Sequence, residues 1–366
     1  MKKVLITGGS GFIGSNLINK LLLNGYKVNS IDVKNNLLIK NKNYKFFKGD
    51  IFNTKILNSA TKNCDSIIHL AASLGVKNTD DNLVQCLNSN ILGIREVLEA
   101  ARKNRVKYFL FSSSSEIYGD QKQFPIFENF PSQNKSVYAI SKMAGESFVK
   151  GYHQKFNINY NIIRFFNVYG PGQNNNFVIS KYIERALKNK NLNVYGSGNQ
   201  IRSFCHVDDA TDGVMEILEN GKKNTVYNIG NNQEPISIYK LAKLVASIFK
   251  NKIKINKISY NQSDRKMDRE IYKRIPSIKK ICQDTNYLPN INLLDGLVSL
   301  IEKKELLNNK AFISKLGIGT LQFGLKYGIA NKEGKLKSSE IKKIKKLGVA
   351  NNIKVVDTAN VYGNSE

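Results

Sequence analysis

The sequence predicts an α/β protein built on a doubly wound parallel sheet, and three observations support that prediction. The chain opens on an aliphatic run, residues 4–6, that is typical of a buried parallel strand. Glycines at positions 8, 11 and 14 follow, and residues 15–22 then carry apolar side chains at helical spacing. Further strand and helix patterns alternate through residue 152. Such alternation indicates parallel strands joined by right-handed crossovers.

The glycine-rich turn predicts a dinucleotide-binding site. Gly8 permits the turn, Gly11 lets backbone amides approach a pyrophosphate, and Gly14 lets the helix pack closely on the strand. The second strand, residues 26–31, ends at Asp32, about 20 residues past the glycines. A carboxylate at this place accepts hydrogen bonds from both ribose hydroxyls and repels a 2′-phosphate. The sequence therefore favours NAD over NADP, although Lys34 nearby keeps NADP open.

Three further strands are predicted in the first third of the chain. The third strand, Lys45–Lys48, leads to Asp50, which can meet an adenine edge or cap a helix. The fourth strand, Ser66–Ala72, ends in small residues against which a cofactor can lie. Within it we expect His69 to be a packed side chain rather than a catalytic one. After a predicted helix, the fifth strand, Tyr108–Phe111, leads into a segment rich in serine.

That segment and the next helix carry the side chains expected to react. Residues 112–119 include several hydroxyls and one acid, Glu116, at the carboxyl end of a parallel strand, where ligands of such sheets lie. Tyr138 and Lys142 open the next helix four residues apart, so the phenol and the ammonium share one face. An ammonium beside a tyrosine favours the phenolate. We therefore expect the pKa of Tyr138 to be lowered towards the working range.

Composition restricts the class of protein. With 366 residues the chain can bury a full core, and no apolar run approaches the length of a membrane span. The chain start resembles no signal peptide, and the four cysteines form no metal-type or redox-type pair, so we expect reduced thiols, no metal site and a cytoplasmic protein. The formal net charge is +27. Because the basic residues cluster neither with aromatic side chains nor on one helix face, we expect no nucleic-acid or membrane partner.

A set of motifs along the first 305 residues identifies a family. The motifs are Gly8–Gly14, Asp32, Gly49–Ile51, His69–Ala72, Ser112–Gly119, Tyr138–Lys142, Arg164–Gly172 and Arg202–Asp209. With them the chain resembles the extended short-chain dehydrogenases/reductases, the NAD-dependent epimerases, dehydratases and decarboxylases of nucleotide sugars. The resemblance implies a Rossmann sheet over residues 1–310, with a smaller substrate lobe interleaved mainly over 166–205 and 234–305.

The resemblance also implies a cofactor, a substrate and a set of site residues. The cofactor is NAD, and the substrate is a nucleotide-diphosphate sugar. Cofactor contacts are expected from Gly8, Gly11, Phe12, Ile13, Gly14, Asp32, Asp50, Ile51, Leu70, Ala71, Ala72, Tyr138 and Lys142. Catalytic roles are expected for Tyr138, Lys142, Ser114 and Glu116. Substrate contacts are expected from Ser115, Asn167, Val178, Arg202, Arg265 and Arg274.

The family also suggests a homodimer. Its members often pair through helices around residues 95 and 145. In this chain Val97, Leu98, Phe148 and Val149 are the side chains that would permit such a contact.

The shared chemistry is a transient oxidation, and the step after it stays open. Tyr138, as phenolate, would take the proton of a sugar hydroxyl as the hydride leaves for the nicotinamide, giving a 4-keto sugar. Epimerases usually have a neutral residue where this chain has Glu116, whereas dehydratases and decarboxylases have the acid. Ser115 stands where many dehydratases have a second acid, and Arg274 before Pro276 resembles the decarboxylases. The segment ahead of Tyr138 is more like that of epimerases, so a UDP-sugar 4-epimerase is favoured.

A different class remains as a rival. A protein that senses NAD without turnover would share the fold, and a Tyr138→Phe substitution would then change nothing.

The last part of the chain has another character. Residues 315–331 resemble the start of an aldo-keto reductase, and residues 354–363 resemble that family's first catalytic segment, with Asp357 and Tyr362 at its spacing. A barrel needs all its strands to close. We therefore expect residues 311–366 to be a truncated segment in which both side chains are inert.

Overall fold

The structure of the chain, a computed structural model, describes residues 2–35, 39–73, 82–249, 253–260 and 270–308, together with 317–319, Ile341, Ile344 and 355–357. Two compact units are present, Met1–Val298 and Ser299–Glu366. Arg265 and Tyr362 lie outside the described residues.

The strands follow the predicted order with small changes at their ends. They are β1 (Lys3–Thr7), β2 (Lys27–Asp32), β3 (Tyr44–Lys48), β4 (Ser66–His69), β5 (Tyr108–Ser114), β6 (Asn159–Phe165), β7 (Val168–Tyr169), β8 (Leu192–Tyr195), β9 (Ile201–Arg202), β10 (Cys205–His206), β11 (Thr225–Ile229), β12 (Ile236–Ser237), β13 (Ile255–Ile258), β14 (Lys273–Arg274), β15 (Gly317–Gly319) and β16 (Val355–Asp357).

The helices lie between these strands. They are α1 (Phe12–Leu23), α2 (Thr54–Thr61), α3 (Leu83–Leu87), α4 (Gly93–Lys103), α5 (Val137–Phe156), α6 (Val178–Leu187), α7 (Val207–Asn220), α8 (Ile238–Ile248), α9 (Lys279–Asp284) and α10 (Leu293–Asn308). A π-helical turn, Asn88–Leu92, joins α3 to α4, and a 3₁₀ turn, Ser115–Tyr118, follows β5.

A seven-stranded parallel sheet organises the first unit, which confirms the predicted fold class. Its strand order is β11-β6-β5-β4-β1-β2-β3, and all its pairings are parallel. Successive side chains of a strand point to opposite faces. Accordingly Val4 and Ile6 belong to one buried cluster with α1 and α7, whereas Leu5 belongs to a second cluster with α2, α4 and α5. The sheet is therefore covered on both faces.

Smaller sheets lie beyond the main one. One contains β12, β9 and β14, and another pairs β8 with β13. Their residues fall within the ranges expected for a substrate lobe. Backbone hydrogen bonds tie one of these segments back to the main unit, because Ile126 N donates to Ile275 O at 2.8 Å and Ser277 N donates to Ile126 O at 2.8 Å. This pairing brings Arg274 towards the 3₁₀ turn that holds Glu116.

The helix that carries Tyr138 differs from its prediction at the end. It continues to Phe156 rather than stopping near residue 152. Asn157 then takes a left-handed conformation, and its amide donates to His153 O at 2.8 Å. An asparagine in that conformation is a common helix stop, so the tertiary structure places the end at the first residue that suits it.

The prediction that four named side chains form a dimer contact is wrong for three of them. Val97, Leu98 and Val149 are at most 1% exposed and pack inside the core of the chain itself. Phe148 packs partly against the same cluster. Side chains that the protomer already buries cannot contact a second copy.

In the second unit, β15 and β16 pair in parallel, with Gly319 opposite Asp357. Among the helices that the structure describes, none combines the length and apolar character needed to cross a bilayer.

Candidate active site

The glycine turn between β1 and α1 is built for close backbone approach. Gly8 has φ of 72°, a left-handed conformation that favours glycine. Its amide donates to Ile31 O at 3.0 Å, and Gly11 N donates to Gly8 O at 3.1 Å. A Cβ on Gly14 would lie 2.3 Å from Gly8 O, so no larger residue fits there. Position 8 thus needs glycine for its conformation and position 14 for its lack of space, whereas the approach of Gly11 to a pyrophosphate stays a prediction.

The first turn of α1 suits an anion. Gly11 is the N-cap, and its lack of a side chain leaves the amino-terminal amides without a side-chain partner. Phe12 and Ile13 open the helix directly after it. These amides and the positive end of the helix dipole could hold the pyrophosphate of a dinucleotide.

Asp32 lies at the carboxyl end of β2, beside the glycine turn. Its Oδ2 accepts from Ser10 N at 3.0 Å, and its Oδ1 accepts from Lys34 N at 3.0 Å. These bonds fix the carboxylate, and each oxygen keeps capacity for a further donor. The arrangement fits the ribose contact predicted for this acid.

Asp50 follows β3 and is not the cap of the next helix. Its Oδ1 accepts from Phe52 N at 3.0 Å, whereas Asn53 caps α2 by accepting from Ile56 N at 3.2 Å. The helix-cap alternative for Asp50 is therefore wrong, and its predicted adenine contact stays a prediction. Ile51 lies against the start of α4, within 2.7 Å of the place a Cβ on Gly93 would occupy.

The segment after β4 lies directly against the glycine turn. Leu70 N donates to Thr7 O at 3.1 Å. A side chain on Gly8 would not fit beside this segment, because its Cβ would lie 2.8 Å from Ala71 N. Ala72 follows in the same segment. His69 is buried, its Nδ1 lies 2.7 Å from Thr7 Oγ1, and burial lowers its pKa to about 3. The structure therefore gives His69 the packed role that we expected.

Ser114, Tyr138 and Lys142 come together at the end of β5. The side chain of Ser114 lies close enough to Tyr138 to lower the pKa of the phenol, against the larger raising effect of burial. Lys142 Nζ lies 5.8 Å from the centre of the Tyr138 ring and donates to Ser112 O at 2.7 Å. Helix α5 thus delivers the phenol and the ammonium to one strand end, as their spacing predicts.

The predicted lowering of the Tyr138 pKa is wrong for this arrangement. Burial raises its pKa, and the carboxylate of Glu116 raises it further, whereas Ser114 acts in the opposite direction. Lys142 gives its hydrogen bond to a carbonyl rather than to the phenol. Burial also lowers the pKa of Lys142 to about 8, against the raising influence of Cys86 and Glu146.

Glu116 is partly exposed and lies near the segment that carries Arg274. Its Oε2 accepts from Ser136 Oγ at 3.2 Å, and Arg274 Nη1 lies 3.9 Å from its Oε1. Neighbouring Ser115 is 1% exposed, and its Oγ has no hydrogen-bond partner among the described residues. The acid and the arginine of the sequence prediction are therefore close together.

For the other residues predicted to contact the substrate, the structure shows only contacts within the chain. Asn167 has φ of 40°, and its Nδ2 donates to Ser203 O at 3.1 Å. Arg202 is buried, and its Nη2 donates to Glu270 Oε1 at 2.8 Å. Val178 is the first residue of α6. Their contacts with substrate stay predictions, as does that of Arg265.

One polar residue near the site was not assigned a role from sequence. Asn90, 4% exposed in the π-helical turn, accepts from Ser73 N at 2.8 Å and donates to Ser73 O at 3.1 Å and Ser141 Oγ at 3.0 Å. It thereby links the segment after β4 to the helix of Tyr138. An asparagine in the middle of an apolar helical pattern was the available signal, and π turns are frequent at functional sites.

Among the described residues, no group of three or more His, Cys, Asp and Glu side chains is arranged to hold a metal ion.

Comparison with known proteins gives a family match and similar relatives. The family described as "Epimerase: NAD dependent epimerase/dehydratase family" matches residues 4–230. The human dTDP-D-glucose 4,6-dehydratase is 34% identical over 261 residues, which cover 68% of this chain and 74% of that protein. UDP-glucuronic acid decarboxylase 4 of Arabidopsis thaliana is 30% identical over 314 residues, 82% of this chain and 68% of that protein.

A solved structure is similar over the same part. The UDP-glucuronic acid 4-epimerase of Bacillus cereus, in complex with UDP-glucuronic acid and NAD, is 29% identical with a TM-score of 0.76 and covers 83% of this chain and 99% of its own. These comparisons do not support the resemblance of residues 311–366 to an aldo-keto reductase.

Proposed function

The chain belongs to the NAD dependent epimerase/dehydratase family, and on that premise we propose that it is a UDP-sugar 4-epimerase acting through a transient 4-keto intermediate. The coarser statement, an NAD-dependent enzyme that modifies nucleotide sugars, follows from its similarity to epimerases, dehydratases and decarboxylases of such sugars. The observation that carries the proposal is the meeting of Ser114, Tyr138 and Lys142 at the strand edge shared with the glycine turn.

The glycine turn, the first amides of α1 and Asp32 would hold NAD. When bound, the cofactor would accept and return the hydride of the sugar carbon. The backbone of Leu70 and Ala71 lies against the turn and leaves no room for a side chain on Gly8.

The roles of the chain's own groups follow from their positions. Tyr138 would accept the proton of the 4-hydroxyl and later return it. Ser114 would hydrogen bond the same oxygen and orient it. Lys142 would stabilise the phenolate by its charge, which is present below a pH of about 8.

The proposed step after oxidation is rotation of the 4-keto sugar and hydride return to the other face. Elimination of water would be assisted by an acidic side chain at position 115, and this chain has a buried serine there. Glu116 is already held by Ser136, the N-cap of α5. These two observations favour epimerisation over dehydration.

Decarboxylation of a UDP-glucuronate is the second candidate, because one observation favours it. Arg274 lies 3.9 Å from Glu116, and an arginine there could bind a C6 carboxylate. The same contact would serve a 4-epimerase whose substrate is a UDP-uronate. Loss of carbon dioxide distinguishes the two.

The test is direct incubation with three substrates. Purified protein would be given UDP-glucose, UDP-glucuronate and dTDP-glucose, and products read by mass and by sugar chromatography. We expect a new sugar of unchanged mass from a UDP-sugar, and no product in Tyr138→Phe. Loss of carbon dioxide or water would contradict epimerisation. An absence of turnover, with Tyr138→Phe behaving as wild type, would support the NAD-sensing alternative.

We also propose a homodimer, through exposed apolar side chains on α3, on the π-helical turn before α4 and on α5. These side chains are Leu83, Val84, Leu92, Ile140 and Met143. Light scattering that gives the mass of one chain would contradict it.

For residues 311–366, the parallel pair of β15 and β16 is compatible with the start of a (β/α) barrel, and this assignment is likewise a proposal.

A further inference from the structure

A buried ion pair joins the helix of Tyr138 to the neighbouring strand. Arg164 on β6 donates from Nε to Oε1 of Glu146 at 2.9 Å and from Nη2 to Oε2 at 2.8 Å. The side chain of Arg164 is 8% exposed and that of Glu146 is 5% exposed. The two parallel bonds make the pair specific in geometry, yet a buried ion pair often adds little to the free energy of folding. Stability alone is therefore a weak reason for this pair.

The remaining groups of the pair are also satisfied. Arg164 Nη1 donates to Tyr118 Oη at 2.7 Å and to Glu128 O at 2.9 Å. Ser113 Oγ donates to the carboxylate at 2.6 Å, and Tyr118 Oη donates to Asn228 Oδ1 at 2.8 Å. The network connects β5, the 3₁₀ turn, α5, β6 and β11.

The network is adjacent to the proposed reacting groups. Tyr138, Lys142 and Glu146 are spaced four residues apart on α5, so they share one helix face. On the strand, Ser113 lies between Ser112, whose carbonyl accepts from Lys142, and Ser114, whose side chain lies near Tyr138. A shift of α5 against β5 would therefore move both contacts.

The charge of Glu146 also acts on Lys142. It raises the pKa of Lys142, whereas burial lowers that pKa to about 8. The other titratable groups that face Lys142 among the described residues are Cys86 on α3, His69 on β4 and Tyr138. Burial raises the pKa of Cys86 and Tyr138 and lowers that of His69, so all three are neutral at pH 7. Glu146 supplies the negative charge.

We propose that Glu146 and Arg164 are positioning residues: their ion pair fixes α5 against β5 and β6, and it places the carboxylate of Glu146 one helical turn from Lys142. The inference rests on the proposed function of Tyr138 and Lys142. Neither positioning residue has to touch the substrate. Their loss should therefore lower kcat and move its pH dependence, with little effect on KM.

The first test is Glu146→Gln, which removes the charge and keeps the shape. We expect the alkaline limb of kcat to move about one pH unit lower, with kcat about fivefold lower at pH 8 and KM within about threefold of wild type. Glu146→Asp keeps the charge at a changed distance. It should restore the alkaline limb while kcat stays reduced.

A second readout does not depend on turnover. In protein labelled with ¹³C at the lysine ε-carbon, the resonance that disappears in Lys142→Met belongs to Lys142. In the wild-type protein we expect the titration midpoint of this resonance near pH 8. In Glu146→Gln it should lie about one pH unit lower. If the enzyme proves inactive, the proposed function fails, and this titration still decides whether Glu146 sets the charge of Lys142.

Asp284→Asn is the matched control. Asp284 is also little exposed and also paired, with Lys222 Nζ at 2.6 Å and Tyr227 Oη at 2.9 Å. It should lower the midpoint of thermal unfolding and leave the alkaline limb and the lysine titration in place. An unchanged titration and limb in Glu146→Gln, or an equal shift in Asp284→Asn, would overturn the inference.

Discussion

At the scale of single residues, burial decides the charge states around the proposed phenol. Lys142 is 3% exposed, and desolvation lowers its pKa to about 8, while the same effect raises the pKa of Tyr138. An ammonium kept in such a place costs stability. The folded protein accepts that cost at a position where the charge would support a phenolate.

Replacement of this lysine should therefore stabilise the protein. The folded pKa of Lys142 lies below the ordinary lysine value of 10.5, so the unfolded chain binds more protons between pH 8 and 10.5. The penalty is complete below pH 8 and disappears as the pH rises through that interval. Each pH unit of this interval corresponds to about 1.4 kcal/mol, and loss of the hydrogen bond to Ser112 offsets about 1 kcal/mol. We therefore expect Lys142→Met to raise the free energy of unfolding by roughly 2 kcal/mol at pH 7.

Urea unfolding measures this effect. The midpoint of Lys142→Met should exceed that of wild type at pH 7, and the gap should narrow towards pH 10, while activity is lost at every pH. A midpoint at pH 7 equal to or below that of wild type would contradict the assignment of Lys142 as a destabilising buried charge.

At the scale of elements, the contact between β1, its turn and α1 shapes the proposed dinucleotide site. Position 8 has a left-handed conformation that favours glycine, and position 14 has no room for a side chain. A second contact between elements is made by the π-helical turn, where Asn90 hydrogen bonds both to Ser73 after β4 and to Ser141 on α5.

Substitution of Gly14 should break this contact. Its Cβ would lie 2.3 Å from Gly8 O, a backbone atom, so Gly14→Ala should cost about 1 to 3 kcal/mol and abolish NAD binding. Gly151 on α5 is the control, since a Cβ there meets nothing within 4 Å. Gly151→Ala should instead gain roughly 0.5 to 1 kcal/mol and bind NAD normally. Calorimetric titration with NAD and thermal unfolding test both; normal NAD binding by Gly14→Ala would be inconsistent with the proposed site.

At the scale of the whole molecule, the strand order assembles the site. Strands β5, β4, β1 and β2 are neighbours, so Ser114, the Leu70 segment, the glycine turn and Asp32 follow each other along one edge. The pairing of Ile126 with Ile275 then brings Arg274 to Glu116 across a long separation in sequence. The family match and the described site residues all precede α10.

Removal of residues 309–366 should therefore leave the function intact. We expect a chain ending at Asn308 to bind NAD and to turn over substrate within about twofold of the full chain, since no predicted cofactor or substrate residue is removed. Full-length protein prepared in parallel is the comparison. A loss of NAD binding in the shortened chain would show that the second unit contributes to the site.

Sequence alone determined the parts of this protein that depend on local spacing. The glycine turn, Asp32 at a strand end and Tyr138 four residues before Lys142 are short-range patterns whose geometry the backbone imposes. Only the tertiary structure decided the charge states and the partners: the carbonyl that takes the bond of Lys142, the pairing of Arg202 with Glu270, the burial of Val97 and Leu98, and the contact of Arg164 with Glu146. These depend on which distant segments meet and on how much water they exclude, and neither quantity is encoded in the spacing of neighbouring residues.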